Sequence, residues 1–272
     1  MLYAKGGVFM DKKVESLKIL FVGNSFAVDT MEHAANVALS LGVSKVKLGV
    51  LYVGGCSIQM HYDHAISDSA VYTYHLNEGD GWASVPEYKI SDAVKSDDWD
   101  WIAIQHGTHG TSRYTSCECY EKLSSLITYL KELSPKHIKI AFNLTWLGES
   151  TRQHHEIISY NGNMTLMRKK LIDVTREMVA SNPLVDLLVP TGTAIENART
   201  SKIGLLTRDC YHLSMDKGRF IAALAFISTV TGIDAARITW TPENVDEYAL
   251  KVAIESVKNA QKHPFDIIRS SI

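Results

Sequence analysis

An apolar run, Leu17 to Val22, stops at Gly23-Asn24-Ser25, and Asp209-Cys210-Tyr211-His212 lies far downstream. These residue types can act as one chemical unit. A serine hydroxyl is a weak nucleophile near neutral pH, so it needs a base within hydrogen-bond reach, and the base needs an orienting group. The step of three from Asp209 to His212 can bring the carboxylate to Nδ1 and leave Nε2 for the serine. Gly23 permits close backbone approach after the strand. Asn24 and Ser25 then lead towards a helix start, where the Ser25 N–H can face a developing oxyanion. Read locally, the same residues also describe an ordinary helix cap.

Positioning these groups falls to alternating strands and helices. Leu17–Val22, Val46–Val53, Trp99–Ile104, Ile138–Leu144 and Val185–Val189 read as buried strands. Helices are expected over about Thr30–Leu41, Ser116–Leu133, Asn161–Ala180, Met215–Thr231 and Pro242–Gln261. Leu123, Leu126, Ile127 and Leu130 repeat at helical spacing, and Ser134-Pro135 closes that segment. Alternation with short connections implies a parallel sheet covered on both faces. The expectation is an α/β fold: a three-layer α/β/α sandwich around a central parallel, flavodoxin-like, five-stranded sheet. Residues 1–16 read as a leader segment and 17–272 as one domain. One stretch breaks the rhythm. Val71 to Lys89 alternates, turns at Asn77-Glu78-Gly79-Asp80-Gly81, and alternates again, which predicts a β-hairpin that either shapes a cleft or covers the sheet edge.

Bulk composition excludes several classes. A formal charge of −2 and a pI near 6.6 give no basic excess for nucleic acid or an anionic membrane. No apolar stretch approaches the ~20 residues of a membrane helix. Met1–Ser16 lacks a long apolar core and a small-residue cleavage site, so a cytoplasmic location is expected. Cys56, Cys117, Cys119 and Cys210 are too few and too scattered for a disulfide scaffold. His61, His64, His106, His109, His154 and His155 form no His-Glu-x-x-His and no Cys/His quartet, so no metal is expected.

The blocks resemble those of the SGNH (GDSL-like) hydrolase superfamily, in an esterase-like branch. Gly23-Asn24-Ser25-Phe26 stands where that family has its Gly-Asp-Ser nucleophile block, with Asn24 for the usual Asp. Gly54-Gly55-Cys56-Ser57 resembles the second block, whose glycine N–H completes the oxyanion hole; the resemblance puts that role on Gly55. Thr207 to Leu213 resembles the last block, supplying Asp209 and His212. The likeness runs from about Leu17 to Thr231. The third block departs from the family's Gly-x-Asn-Asp: here the strand ends Gln105-His106-Gly107-Thr108-His109-Gly110. His109 stands in the asparagine slot by register, and Gln105 can donate the same bond by chemistry. Losing one oxyanion donor costs ~100- to 1,000-fold, so a third donor is expected.

Trp146, after the fourth strand, is a candidate to line the substrate cleft or to pack. Arg208 beside Asp209 can bind a substrate anion or form a structural ion pair. The resemblance implies a serine esterase acting through Ser25, His212 and Asp209 on a small acyl ester, with an O-acetylated carbohydrate as the model substrate and no cofactor. The alternative is a non-catalytic module of the same fold that holds an acyl or glycan ligand. A nucleotide binder is disfavoured, because Gly23-Asn24-Ser25 lacks the lysine and glycine spacing of a phosphate loop.

Overall fold

The first strand explains why the sheet is covered on both sides. In the computed structural model, which describes residues 14–106, 115–134, 137–149 and 160–272, β1 spans Ser16–Gly23. Leu17, Ile19 and Phe21 enter one apolar cluster, and Leu20 and Val22 enter another. Successive strand side chains point to opposite faces, so a strand that is apolar throughout must lie between two layers. Residues 1–13 of the expected leader, His109, His154 and His155 lie outside the described residues.

The other strands are β2 (Lys45–Tyr52), β3 (Tyr72–Asn77), β4 (Trp82–Tyr88), β5 (Trp101–Ile104), β6 (Lys139–Asn143) and β7 (Leu187–Val189). β1 pairs in parallel with β2 and β5, β5 with β6, and β6 with β7, which are the five parallel strands read from the sequence. The expected sheet of five is corrected to seven, in the order β4-β3-β2-β1-β5-β6-β7, because the hairpin joins it. β3 pairs antiparallel with β2, and β4 antiparallel with β3, so the sheet is mixed. The physical reason is that β2 would otherwise present an unpaired edge. Tyr72 and Tyr74 are buried under it, while β4, mostly exposed and carrying Pro86, forms the new edge, where proline is tolerated.

The helices described are α1 (Ser25–Met31), α2 (Ala34–Ser40), α3 (Ile58–Ile66), α4 (Ile90–Lys95), α5 (Leu123–Leu133), α6 (Met164–Thr175), α7 (Thr191–Ala198), α8 (Lys217–Thr231) and α9 (Glu247–Lys262). One layer holds α1, α2, α7, α8 and α9; the other holds α3 to α6. α8 is buried nearly all round because it packs on α1, α2, α7 and α9. The helix expected over 30–41 is instead α1 and α2. It starts early because the Asn24 side chain caps it, accepting from Phe26 N. It breaks near His33, whose Nε2 donates to the Met215 carbonyl at 2.7 Å.

Strand register sets the site. Gly23 lies opposite Tyr52, and Val22 opposite Ile104. Residues just past these tips, Asn24-Ser25, Gly54-Gly55 and Gln105, therefore gather at one edge. β1 has β2 on one side and β5 on the other, so Ser25 leaves the sheet at a topological switch point, where open α/β sheets bind ligands.

Candidate active site

Ser25 is the first residue of α1. Asn24, in extended conformation, caps the helix with Oδ1 on Phe26 N at 3.0 Å. First-turn N–H groups have no intrahelical partner, so the Ser25 amide is left available. The same Asn24 reaches the next loop, its Nδ2 donating to the Cys56 carbonyl at 3.0 Å. That loop is a tight turn closed by Cys56 N on Val53 O at 3.2 Å, with Gly55 at φ +64°, a conformation that favours glycine. Val53 N also bonds Gly23 O at 3.3 Å, so the two loops are fastened side by side. Beneath them Cys56 Sγ lies 3.4 Å from His61 Nδ1, which is 2.8 Å from the Tyr72 hydroxyl. Burial pushes the Cys56 thiol up to about 12 and His61 down to about 3, so both are neutral packing groups near pH 7.

Asp209 and His212 come from the loop before α8. A bridge between Thr207 and Leu213 closes it, and Arg208 N donates to His212 O at 2.9 Å. Cys210 takes φ +61°, an unfavourable value for a side-chain-bearing residue, which turns the chain so that Asp209 and His212 face one another. Asp209 Oδ2 accepts from His212 Nδ1 at 2.7 Å, and Oδ1 accepts from the backbone N–H groups of His212 (2.6 Å) and Tyr211 (3.1 Å). Burial is the largest single influence on Asp209 and favours its neutral form. The hydrogen bonds from His212 and Tyr211 and the His212 charge outweigh it and hold the carboxyl below its ordinary value.

The two ends of the chain meet at His212 Nε2, which is 2.9 Å from Ser25 Oγ. A carboxylate only accepts, so Nδ1 carries the proton and Nε2 is the acceptor for the serine hydroxyl. Such a chain can remove a proton from Ser25 and return it to a leaving group. A cavity of about 270 Å³ opens over it, lined by Asn24, Ser25, Tyr52, Gly54, Gly55, Tyr211 and His212. A larger cavity of about 510 Å³, beside Glu149, Arg168 and Arg199, is not lined by Ser25, Asp209 or His212.

Two expected site residues lie elsewhere. Gln105 is fully buried, its Nε2 donating to Asn24 Oδ1 at 2.8 Å and its Oε1 accepting from Asn143 Nδ2 at 3.3 Å. It supports the nucleophile turn from below instead of facing the cavity. Trp146 is 1% exposed; its Nε1 donates to Tyr211 O at 2.8 Å and its ring packs on Phe26 at 4.5 Å. It backs the loop that bears His212 and does not line the cleft, because the indole N–H takes a buried partner. Arg208 adopts the ion-pair role, with Nη1 3.0 Å from Asp29 Oδ1. Sequence reasoning missed Tyr52 and Tyr211 as cavity walls, and missed Asp29. The available signal for Asp29 was a lone acid among Phe26, Ala27, Thr30 and Met31, one helical turn after Ser25.

Among the described residues no group of three or more His, Cys, Asp or Glu is arranged to hold a metal ion. No helix among them is long and apolar enough to cross a membrane.

The molecule is an α/β protein whose sheet edge carries a hydrogen-bonded serine, histidine and carboxylate. The chain belongs to the DUF4886 family, a domain of unknown function, whose profile matches residues 18–260. It is similar to the crystal structure of a DUF4886 family protein from Bacteroides uniformis ATCC 8492. The identity is 27%, the TM-score 0.86, and the match covers 94% of this chain and 98% of that one. Weaker likenesses include the acetylxylan esterase Axe2 from Geobacillus stearothermophilus (17% identity, TM-score 0.44, 84% of this chain and 97% of that one). Another is LAE5, an alpha/beta hydrolase enzyme from the metagenome of Lake Arreo, Spain (13%, TM-score 0.47, 84% and 99%). No curated protein matches the sequence.

Proposed function

We propose that this protein is a serine esterase of SGNH type that removes a short acyl group, such as acetyl, from a carbohydrate ester. The observation that carries the reading is the position of His212, with Nε2 at 2.9 Å from Ser25 Oγ and Nδ1 at 2.7 Å from Asp209. Ser25 Oγ attacks the ester carbonyl while Nε2 takes its proton. Asp209 keeps the imidazole oriented and stabilises its charged form. Collapse of the tetrahedral adduct expels the alkoxide, which takes the proton from His212 and leaves acyl-Ser25. Water, deprotonated by His212, attacks that ester; the second collapse releases the acid and returns the proton to Ser25. The nucleophile of the first half-reaction and the base of both come from the chain, and water is the nucleophile of the second.

The oxyanion in this reading faces the backbone N–H groups of Ser25 and Gly55. The Gln105 amide is engaged with Asn24; His109, the other candidate third donor by register, lies outside the described residues. A short acyl group is favoured by a cavity of about 270 Å³, just under the ~300–1,000 Å³ of sites for larger ligands. Tyr52 and Tyr211 line the cavity, and tyrosine, with its aromatic body and hydroxyl tip, suits a polyhydroxylated ring.

A fluorophosphonate probe tests the reading. Labelling of wild type and none of Ser25→Ala, with loss of p-nitrophenyl acetate hydrolysis and an unchanged melt, supports the esterase. Glycan or acyl-ligand binding without labelling favours the non-catalytic module.

A further inference from the structure

Asp29 has no part in the proton relay, yet its carboxylate is completely buried and is contacted from two directions. Its Oδ2 accepts from the Leu213 backbone N–H at 2.8 Å. Its Oδ1 accepts from Arg208 Nη1 at 3.0 Å and from Arg219 Nε at 2.8 Å, with Arg219 Nη2 also at 2.8 Å. Arg208 Nη1 also donates to the Leu213 carbonyl. Arg219, on α8, holds Glu32 at 3.0 Å with its other nitrogen. A buried carboxylate with two guanidinium partners and a backbone donor has little freedom to move.

The location of these contacts gives them a role. Asp29 lies four residues after Ser25, one rigid turn along α1. Leu213 directly follows His212, and Arg208 directly precedes Asp209. The carboxylate therefore ties the helix that begins with Ser25 to both ends of the loop that carries Asp209 and His212.

Resting on the esterase reading above, we propose that Asp29 is a positioning residue that sets the separation of Ser25 Oγ from His212 Nε2. The helix fixes Ser25 relative to Asp29. The Leu213 and Arg208 contacts fix the His212 backbone relative to the same carboxylate. Arg208 and Arg219 hold that carboxylate in place. A displacement of the imidazole by about 1 Å costs on the order of 100-fold in rate, so this anchor acts on turnover and not on substrate binding.

The test compares wild type, Ser25→Ala, Asp29→Asn and Arg208→Met on p-nitrophenyl acetate, with thermal melts and fluorophosphonate labelling rates. Asn keeps the shape of Asp29 but turns an N–H₂ towards a donor. Asp29→Asn is expected to lose about 100-fold in kcat and in labelling rate, with KM within about threefold of wild type. A folded Asp29→Asn with wild-type kcat overturns the proposal. Should Asp29→Asn not fold, Arg208→Met decides. It removes a partly exposed arm and leaves Arg219 on Asp29. An expected loss of about 10-fold in kcat at unchanged KM supports the proposal. Unchanged kcat overturns it, and a raised KM alone would make Arg208 a substrate contact instead. If wild type shows no Ser25-dependent labelling or hydrolysis, the esterase reading falls and this proposal with it. If Ser25 dependence holds while both variants turn over normally, only the proposal falls.

Discussion

Gln105 Nε2 donates to Asn24 Oδ1 across 2.8 Å, joining the tip of β5 to the cap of the helix that begins with Ser25. The line continues across the sheet. Gln105 Oε1 accepts from Asn143 Nδ2 at 3.3 Å, and Asn143 Oδ1 accepts from Thr191 Oγ1 at 2.6 Å. Four neighbouring strand ends (β1, β5, β6 and β7) each contribute one buried polar side chain. Buried polar groups require partners, so the ladder admits few alternative arrangements of this edge.

Gln105→Leu should therefore loosen the nucleophile turn. It leaves Asn143 Nδ2 without its Gln105 acceptor and Asn24 Oδ1 with one donor fewer. We expect a stability loss of about 1–3 kcal/mol by urea unfolding. Gln105→Glu should do worse, since a carboxylate cannot donate to Asn24 Oδ1. Equal stability of wild type and both variants would show the ladder to be energetically idle.

Under the esterase reading, Ser25, His212 and Asp209 should behave as a unit. Ser25→Ala and His212→Ala are each expected to lower kcat by roughly 10⁶-fold, to a small residual rate, and Asp209→Asn by roughly 10⁴-fold. The Ser25→Ala/His212→Ala double variant should be no slower than either single one. Additive losses in that cycle would mean that the two side chains act separately. A chelator should leave the wild-type rate unchanged, because base, nucleophile and donors all belong to the chain.

Adjacent glycines give a contrast within one loop. A Cβ on Gly54 meets only the Tyr52 hydroxyl, at 3.4 Å, so Gly54→Ala should fold and keep kcat, any effect falling on KM because both residues line the cavity. Gly55 sits at φ +64°, where a side chain costs about 1–2 kcal/mol. Gly55→Ala should relieve that strain by moving its N–H, with a fall in kcat of about 10-fold or more. Steady-state kinetics of the pair settle the point, and equal rates would remove Gly55 from the oxyanion site.

Acid sensitivity should arise at the other end of the sheet. Asp97 accepts from Lys18 Nζ at 2.6 Å and lies 2.8 Å from Lys47 Nζ. Burial is the largest single influence and raises its pKa, but the hydrogen bonds from Lys18, Lys47 and the Asp98 backbone N–H, with the Lys47 charge, outweigh it and bring the value to about 2. A carboxylate depressed in this way stabilises the fold fully above its unfolded value of 3.8, and the gain is lost as pH falls towards 2. Wild type should exceed Asp97→Asn by about 1–2 kcal/mol at neutral pH, after allowance for solvent screening. The gap should close below about pH 4; a gap constant down to pH 2 would contradict the assignment.

The sequence already pointed to five parallel strands and to the convergence of Ser25 with Asp209 and His212. Those features depend on local signals: continuous apolar runs, a glycine at a strand tip, and an acid three residues from a histidine. Contacts fixed by strand order were not legible. Asn24, Gln105 and Asn143 meet only because β1, β5 and β6 are neighbours in register. The alternation of Val71–Lys89 disclosed a hairpin, but its union with β2 depends on which edge lay open. Trp146 follows a strand tip as a cleft residue would. Its inward direction is set by Tyr211, 65 residues away in the chain.

Ser25 and His212 stand 187 positions apart. A growing polypeptide therefore has no working centre until its last third has emerged and docked on the amino-terminal helix. Under the esterase reading, turnover becomes a report on completion of the whole architecture. Any truncation that removes the loop before α8 also strips α8 and α9 from their layer, and leaves a serine with nothing to activate it.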